Sequence, residues 1–322
     1  MSVEADGVYS RELMSTLESQ SQSTQILRSI RSMIVLYGSV RATPLSSRVG
    51  RCLLDLPLDS GTITEHHIRN AKACARRFEL ENFEVRVLVD PDSHTPKSYA
   101  EHNGVRCVIQ QDEAPIRGVA GVLSDATKSM DENDYIIVSS GAQVFIEPLD
   151  DLVHAMAKKK ADVAFVSSSE GAPVGVWLIR CGVLKSINPI GYVDLKEQAL
   201  DQWKSEYAVS VVERRRAYAQ PARSLHEYLN AVRIQVSGSG SGTTIDEDPY
   251  REDWESTFSI IEPGAQVSED VVLHDSVALA GSTVGKGAIL VRSVICDGAV
   301  VEPGARVTDK VLNRVAKKGR QR

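Results

Sequence analysis

The most regular hydrophobic pattern is a six-residue repeat in the last part of the chain. Between Ile261 and Val307, aliphatic residues recur at intervals of 6, 6, 6, 5, 6, 5, 6 and 6. Glu-Pro-Gly-Ala occurs at 262–265 and again at 302–305. This period, with glycines at tight corners, is typical of a parallel β-helix of about three coils. The predicted inward positions are Ile261, Val267, Leu273, Leu279, Val284, Leu290, Ile295, Val301 and Val307.

The preceding region alternates strand-like and helix-like patterns. Residues 33–37 form a compact apolar run that ends at a glycine, and residues 62–80 place apolar side chains on one helix face. Further strands are predicted at 83–89, 106–109, 134–138, 161–166 and 173–180, and further helices at 118–130, 149–159, 194–203 and 224–233. Strands that alternate with helices predict a doubly wound α/β domain with a parallel sheet.

Composition sets the expected boundaries. They are a polar leader (1–32), the α/β domain (33–235), a Gly/Ser-rich and acidic linker (236–257), the β-helix (258–312) and a basic tail (313–322). The tail has the composition of a solvated chain end, and binding to nucleic acid or an acidic partner is the weaker alternative. A β-helix this short needs a neighbour to cap it.

Charge and cysteine content narrow the class of protein. A net charge of −6 gives no overall attraction to nucleic acid or an anionic membrane, and neither is expected as a partner. No apolar run approaches membrane-spanning length, and the start of the chain has no signal-peptide pattern. Five scattered cysteines without a C-x-x-C pair indicate neither a disulfide framework nor a zinc site. We therefore expect a cytoplasmic protein.

Ligands of open α/β sheets bind beyond the carboxyl ends of the strands. That rule selects three loops: 38–45, 110–121 and 139–142. Their order and spacing resemble the sugar-1-phosphate nucleotidyltransferases, or NDP-sugar pyrophosphorylases, and the resemblance covers about residues 33–312. Many members have a Rossmann-like doubly wound domain followed by a left-handed hexapeptide β-helix. The resemblance implies this fold, a nucleoside triphosphate and a sugar 1-phosphate as substrates, and Mg²⁺ as the cofactor if the protein is active.

The first loop resembles the phosphate-binding loop of the family. Family members read Leu-Ala-Ala-Gly-x-Gly-Thr-Arg-Leu-x-Pro-Leu, and this chain keeps Gly38 and Arg41-x-x-Pro-Leu but lacks the second glycine. Such glycines let backbone N–H groups close around phosphate oxygens. Arg51 stands near the position of the family's phosphate-binding lysine. The resemblance thus implies catalytic phosphate contacts by Arg41 and Arg51, and the alternative is that both are solvated surface arginines.

The second loop resembles the segment that borders the nucleobase. Gly118 and Gly121 match a Gly-Thr-Ala-Gly-Ala-Leu segment, and Gln110 or Gln111 corresponds to the glutamine that reads the base. A helix amino end at this place would also favour an anion. The alternative is a plain glycine turn before a helix.

The third loop departs from the family at the metal site. Active members read Asn-Gly-Asp, in which the aspartate holds Mg²⁺, but this chain has Gly141 followed by Ala142. A methyl group offers no oxygen to a metal that would bridge the phosphates. The sugar-contacting Glu-Lys-Pro hairpin is also missing. Asp194 is the remaining candidate carboxylate of the site, with a helix N-cap as the alternative.

These features leave two main hypotheses. One is an enzyme that makes NDP-sugars, of low activity because its metal and sugar sites are eroded. The other is a regulatory member that binds a nucleotide or nucleotide sugar, or a fully non-catalytic scaffold that pairs with an active homologue. A different transferase on the same scaffold is a third, weaker alternative. In each case we expect homo- or hetero-oligomers through the β-helix. Histidines 66, 67 and 274 are weaker candidates, because adjacent helix positions face different ways and three coils leave little room for an acyl-transfer groove.

Overall fold

The computed structural model describes residues 21–37, 43–91, 93–97, 101–102, 104–112, 117–167, 173–239 and 257–314. Gly38 and Arg41 lie outside these ranges, as do most of the expected leader, linker and basic tail. Within the ranges, no helix is both long enough and apolar enough to cross a membrane.

An α/β part precedes the β-helix region. Its strands are β1 (Ile30–Tyr37), β2 (Pro57–Leu58), β3 (Gly61–Thr62), β4 (Glu84–Val89), β5 (Glu101–His102), β6 (Val105–Gln111), β7 (Tyr135–Ser140), β8 (Gln143–Phe145), β9 (Val163–Ser167), β10 (Pro173–Arg180), β11 (Val209–Glu213) and β12 (Ala219–Pro221). Its helices are α1 (21–28), α2 (Pro44–Val49), α3 (Ile63–Arg77), α4 (Gly118–Ala126), α5 (Leu149–Ala157), α6 (Cys181–Lys185), α7 (Leu200–Glu206) and α8 (Leu225–Ser239). A 3₁₀ turn covers Leu53–Asp55 and a π-helical turn covers Leu195–Ala199.

The central sheet has the strand order β11-β9-β10-β7-β1-β4-β6-β5. β1 pairs in parallel with β4 and β7, and β4 pairs in parallel with β6, so the predicted doubly wound α/β class is confirmed. β10 instead runs antiparallel to both β7 and β9. The reason is the short connection from β9 to β10, which has no room for the helix that a parallel crossover needs.

Apolar side chains of the sheet alternate between two cores. In β1, Met33 and Val35 face the core that α3, α5 and α8 cover, whereas Ile34 faces the core that α4, α6 and α7 cover. Both faces of a mostly parallel sheet are thus buried, as its continuous apolar strands predict. The capping box of Thr62 and Glu65 fixes the start of α3, because each side chain accepts a backbone hydrogen bond from the other residue.

The β-helix region consists of ten short strands stacked in three parallel sheets. They are β13 (Ser259–Ile261), β14 (Gln266–Val267), β15 (Val272–His274), β16 (Ser276–Ala278), β17 (Thr283–Val284), β18 (Ile289–Val291), β19 (Val294–Ile295), β20 (Val300–Val301), β21 (Arg306–Thr308) and β22 (Val311–Leu312). Each strand from β13 to β19 pairs in parallel with the strand 17 residues further along, as in the pairing of Ser259 with Ser276. The chain therefore coils as a parallel β-helix, and its left-handed sense stays a prediction.

One corner of each coil is a residue shorter than a strict hexapeptide repeat would make it. Asp275, Arg292 and Asp309 stand at this corner with positive φ angles of 48°, 45° and 52°. The short corner corrects one predicted inward position. Ala278, paired with Ile295, is in the inward register, whereas Leu279 belongs to the core of the α/β part.

The β-helix region and the α/β part share one apolar core. Phe258, Val277 and Leu279 are buried in the same cluster as the side chains of α3, α5 and α8. Arg233 of α8 also forms an ion pair with Asp275, whose side chain is only 4% exposed. A continuous core and an ion pair to a buried carboxylate fix the first sheet of the coils against the α/β part.

Candidate site at the carboxyl edge of the sheet

The carboxyl ends of β7, β1, β4 and β6 lie side by side in the sheet. The N–H of Asp90 donates to the Tyr37 carbonyl at 3.3 Å, and the N–H of Asp112 donates to the Val89 carbonyl at 2.9 Å. This edge is where the sequence places the ligand site. Gly38 and Arg41 belong to its first loop, but they lie outside the described residues.

Arg51 is bound by the β-helix region. Its Nη1 and Nη2 donate to the two carboxylate oxygens of Glu262 at 2.9 and 2.6 Å, and Nη2 also donates to the Asp55 carbonyl at 2.8 Å. The N–H of Ala280 donates to Glu262 Oε2 at 2.8 Å. Burial would lower the pKa of Arg51, but the hydrogen bonds and charge of Glu262 outweigh it and raise the pKa. Arg51 thus binds a carboxylate in the bidentate geometry that an arginine also uses to bind phosphate.

Gly118 and Gly121 make room for other parts of this protein. Gly118 has a φ of +70°, and a Cβ there would lie 2.5 Å from the Val193 carbonyl oxygen. The same oxygen accepts a hydrogen bond from the N–H of Ala120 at 3.1 Å. A Cβ on Gly121 would lie 2.9 Å from the Cβ of Arg117. The amino end of α4 is therefore partly occupied by a carbonyl group of the chain itself.

Arg117 is a buried residue that the sequence did not single out. Its Nε donates to Asp125 at 3.0 Å, and its Nη1 donates to the carbonyl oxygens of Asn188 and Gly191 at 3.0 and 3.2 Å. These bonds hold the loop before the π-helical turn against α4. Only the fold reveals this role, because the two carbonyl groups lie more than 70 positions further along the chain.

The two candidate glutamines differ in their surroundings. Both end β6, but the Gln110 side-chain oxygen accepts a hydrogen bond from Arg86, whose Nη1 also donates to the Ala126 carbonyl. The Gln111 side chain is exposed. If a glutamine reads a base here, Gln111 is the one whose side chain is open to solvent.

Gly141 and Ala142 are fixed by packing. The N–H of Gly141 donates to the Leu36 carbonyl at 2.8 Å, and a Cβ on Gly141 would lie 3.1 Å from that oxygen. Ala142 packs against the apolar core, and its carbonyl accepts from the N–H of Ala222 at 3.0 Å. The position of the family's metal-binding carboxylate thus has a methyl group in apolar surroundings.

Asp194 is the N-cap of the π-helical turn. Its Oδ1 accepts hydrogen bonds from the N–H groups of Lys196 and Glu197 at 2.7 and 2.9 Å. One carboxylate oxygen is thus engaged in capping, and Ala142 supplies none. No set of three or more His, Cys, Asp or Glu side chains in the described ranges is placed to hold a metal ion. The residues at the expected positions do not fit a Mg²⁺ site.

His66 and His67 connect α3 to the chain around β8. His66 Nε2 accepts from the N–H of Phe145 at 2.9 Å, and His67 Nε2 lies 3.3 Å from the Gly141 carbonyl oxygen. Burial, helped by the charges of His67 and Arg69, lowers the pKa of His66 to about 3. Burial also lowers the pKa of His67 to about 4. Both rings are therefore neutral and structural near pH 7.

Two basic residues beside this edge were not predicted. Burial lowers the pKa of Lys196 and the positive charge of Arg223 lowers it further, while the charge of Asp194 opposes the shift. The Arg223 carbonyl accepts from the N–H of Leu45 at 3.0 Å, which places Arg223 beside the start of α2. No motif marks either residue, because folding alone brings their segments together.

A scan against protein-family models and a search of curated proteins found no match. Among solved structures, the chain is similar to a putative glucose-1-phosphate thymidylyltransferase from Bacillus anthracis in complex with a sucrose. The TM-score is 0.52 at 13% identity, over 67% of this chain and 97% of that chain. It is also similar to the Mycobacterium tuberculosis Rv0371c homologue from Mycobacterium sp. strain JC1, with a TM-score of 0.42 at 18% identity, over 65% and 98% of the two chains.

The second similarity is too low to support an argument. At 13% identity, the first bears on the fold and not on the activity. About two thirds of the chain thus has the fold of that putative thymidylyltransferase, which agrees with the resemblance of its loops to the sugar-1-phosphate nucleotidyltransferases.

Proposed function

We propose that this protein is a regulatory relative of the sugar-1-phosphate nucleotidyltransferases, which binds a nucleotide sugar without metal and does not catalyse nucleotidyl transfer. The observation that carries the proposal is the Arg51–Glu262 pair. The cation that would neutralise phosphate charge in the reaction is already paired with a carboxylate of the β-helix region. Together with the methyl group of Ala142 in place of a metal ligand, this favours binding without turnover.

Lys196 and Arg223 are the residues that we assign to the ligand. The Arg223 carbonyl is bonded to the start of α2, and the pKa of Lys196 is lowered by burial and by the positive charge of Arg223. A bound anion would offset the repulsion between the two charges. A diphosphate carries charge to satisfy both, and charge-assisted hydrogen bonds are the stronger kind. Gln111 would contact the base from the end of β6.

The test combines turnover and binding. We expect no pyrophosphate release from any pairing of common nucleoside triphosphates with sugar 1-phosphates in the presence of Mg²⁺. We expect nucleotide-sugar binding that Lys196→Gln weakens and that Lys204→Gln, an exposed control on α7, leaves unchanged. Pyrophosphate release at enzymatic rates would overturn the regulatory assignment, and binding insensitive to Lys196→Gln would overturn the assigned site.

The second candidate is a scaffold subunit without a small ligand. It is favoured by the core shared between the two parts and by the ion pairs Arg51–Glu262 and Arg233–Asp275, which hold the β-helix region in one orientation. Nucleotide-sugar binding distinguishes the two candidates, because the scaffold would show none.

Under either candidate we propose oligomerisation through the β-helix region, with an identical chain or an active homologue as the partner. Val272 and Val300 on its strands are 54% and 64% exposed, so apolar surface is available for contact. Light scattering across micromolar concentrations should show a mass above that of one chain. Substituting lysine at Val272 and Val300 should lower that mass, and a monomer in both forms would contradict the proposal.

A further inference from the structure

A groove lies between α8 and the coil corner at Arg292 of the β-helix region. It has a volume of about 340 Å³, which falls in the size range of small-ligand sites. Its basic lining residues are His226 and Arg233 of α8 and Arg292 of the short coil corner. The amides of Gln220 and Asn230 also line it, and Asn230 donates to Gln220 at 3.0 Å.

The lining of the groove carries two guanidinium groups against one carboxylate. Its one carboxylate, Glu227, accepts hydrogen bonds from the N–H groups of Arg223 and Ser224 at 2.9 Å and lies in the first turn of α8. The positive amino end of the helix therefore offsets the charge of Glu227. Asp275 and Asp309, which pair with the two arginines, are not among the lining residues.

Arg292 and Arg233 each have N–H donors that their paired aspartates, Asp309 and Asp275, do not use. Asp309 engages Nε and Nη2 of Arg292 at 2.6 and 2.7 Å, which leaves Nη1. Asp275 engages Nη2 of Arg233, which leaves Nε and Nη1. The ion pairs thus orient both guanidinium groups without consuming all of their hydrogen-bonding capacity.

We infer that this groove is an anion site for a phosphate group, held by Arg292, Arg233 and His226. A phosphate dianion matches two guanidinium groups and an imidazole, and the amides of Gln220 and Asn230 suit the hydroxyl groups of an attached sugar. The ligand class is inorganic phosphate or a small phosphomonoester. The site does not use Lys196 and is independent of the function proposed above.

Titration of the full chain with inorganic phosphate, glucose 1-phosphate and glucose tests this inference. Calorimetry should show saturable binding of both phosphates at millimolar concentrations or below and none of glucose. Tighter binding of glucose 1-phosphate than of phosphate would identify the ligand as a sugar phosphate, and equal binding would identify it as the free anion. Absence of saturable phosphate binding would overturn the inference.

Paired variants locate the binding and separate it from a structural role. Arg292→Gln should weaken phosphate binding roughly tenfold, because it removes a charged hydrogen-bond donor. Asp309→Asn should leave binding unchanged or tighten it, since it frees Arg292. The exposed control Arg306→Gln should have no effect on phosphate binding. Equal losses in Arg292→Gln and Asp309→Asn, or none in Arg292→Gln, would refute the site, and thermal melting verifies that each variant is folded.

Discussion

The Arg51–Glu262 pair should couple the stability of the β-helix region to that of the α/β part. The two side chains are 24% and 14% exposed, between a buried and a surface pair. Removing one partner of a buried pair costs about 3–5 kcal/mol, whereas surface pairs contribute about 0–1 kcal/mol. We therefore expect Arg51→Met to lower the free energy of unfolding by about 2–3 kcal/mol, because it leaves the Glu262 carboxylate with one described donor, the N–H of Ala280.

Glu262→Gln is the milder change. It keeps the volume of the side chain and an oxygen for the N–H of Ala280, so the expected cost is about 1–2 kcal/mol. In the double variant, the two losses should not add. A double-mutant cycle should give a coupling energy of about 1–2 kcal/mol between Arg51 and Glu262.

Urea unfolding followed by circular dichroism measures these free energies. The matched control is the cycle for Arg292 and Asp309, which has similarly short bonds of 2.6 and 2.7 Å but side chains that are 42% and 41% exposed. Solvent screening should make that coupling much smaller. A coupling for Arg51–Glu262 no larger than that of the control would refute the view that this pair joins the two parts.

Three further predictions concern stability. The pKa values of His66 and His67 are lowered to about 3 and about 4 in the folded protein. The two neutral rings therefore contribute fully to folding stability above pH 6.5, and this contribution is lost as the pH falls below 6.5. The urea-unfolding free energy should fall by at most about 1.4 kcal/mol per pH unit for each histidine, and a flat profile from pH 6.5 to 5 would contradict this. Gly118→Ala should lower the free energy of unfolding by about 1–3 kcal/mol in the same assay, because the positive φ and the Val193 carbonyl both oppose a Cβ. An unchanged free energy would show that the loop relaxes to accommodate the methyl group. Tyr228→Phe should cost about 1 kcal/mol, since a buried hydroxyl donates at 2.7 Å to a β2 carbonyl; a neutral effect would mean that water replaces the bond.

Much of the fold could be predicted from local pattern. The apolar runs located β1, β7 and β9 within a few residues, because these strands are buried on both faces. Alternation of apolar and polar residues located β4. The hexapeptide period located the β-helix region. The six-residue period does not show that the corner at Asp275 is one residue short, because a five-residue step fits at more than one place in the repeat. The predicted inward residue, Leu279, therefore lies one position after the observed inward residue, Ala278.

The candidate site was harder to predict, because its contacts join distant segments. The partner of Arg51 lies 211 residues further along the chain. Nothing near Arg51 in the sequence distinguishes an arginine that binds phosphate from one that binds a carboxylate. Lys196 and Arg223 could not be predicted for the same reason. The capping role of Asp194, in contrast, follows from the local sequence, because a helical segment begins directly after it.

Metal-independent binding is tested most directly by calorimetric titration of the full chain with a panel of NDP-sugars and nucleoside triphosphates, with Mg²⁺ and with EDTA. An NDP-sugar should bind with the same affinity in both conditions, and triphosphate binding should gain nothing from the metal. Triphosphate binding that requires Mg²⁺ would contradict this prediction, because a metal site would then exist that neither Ala142 nor Asp194 provides.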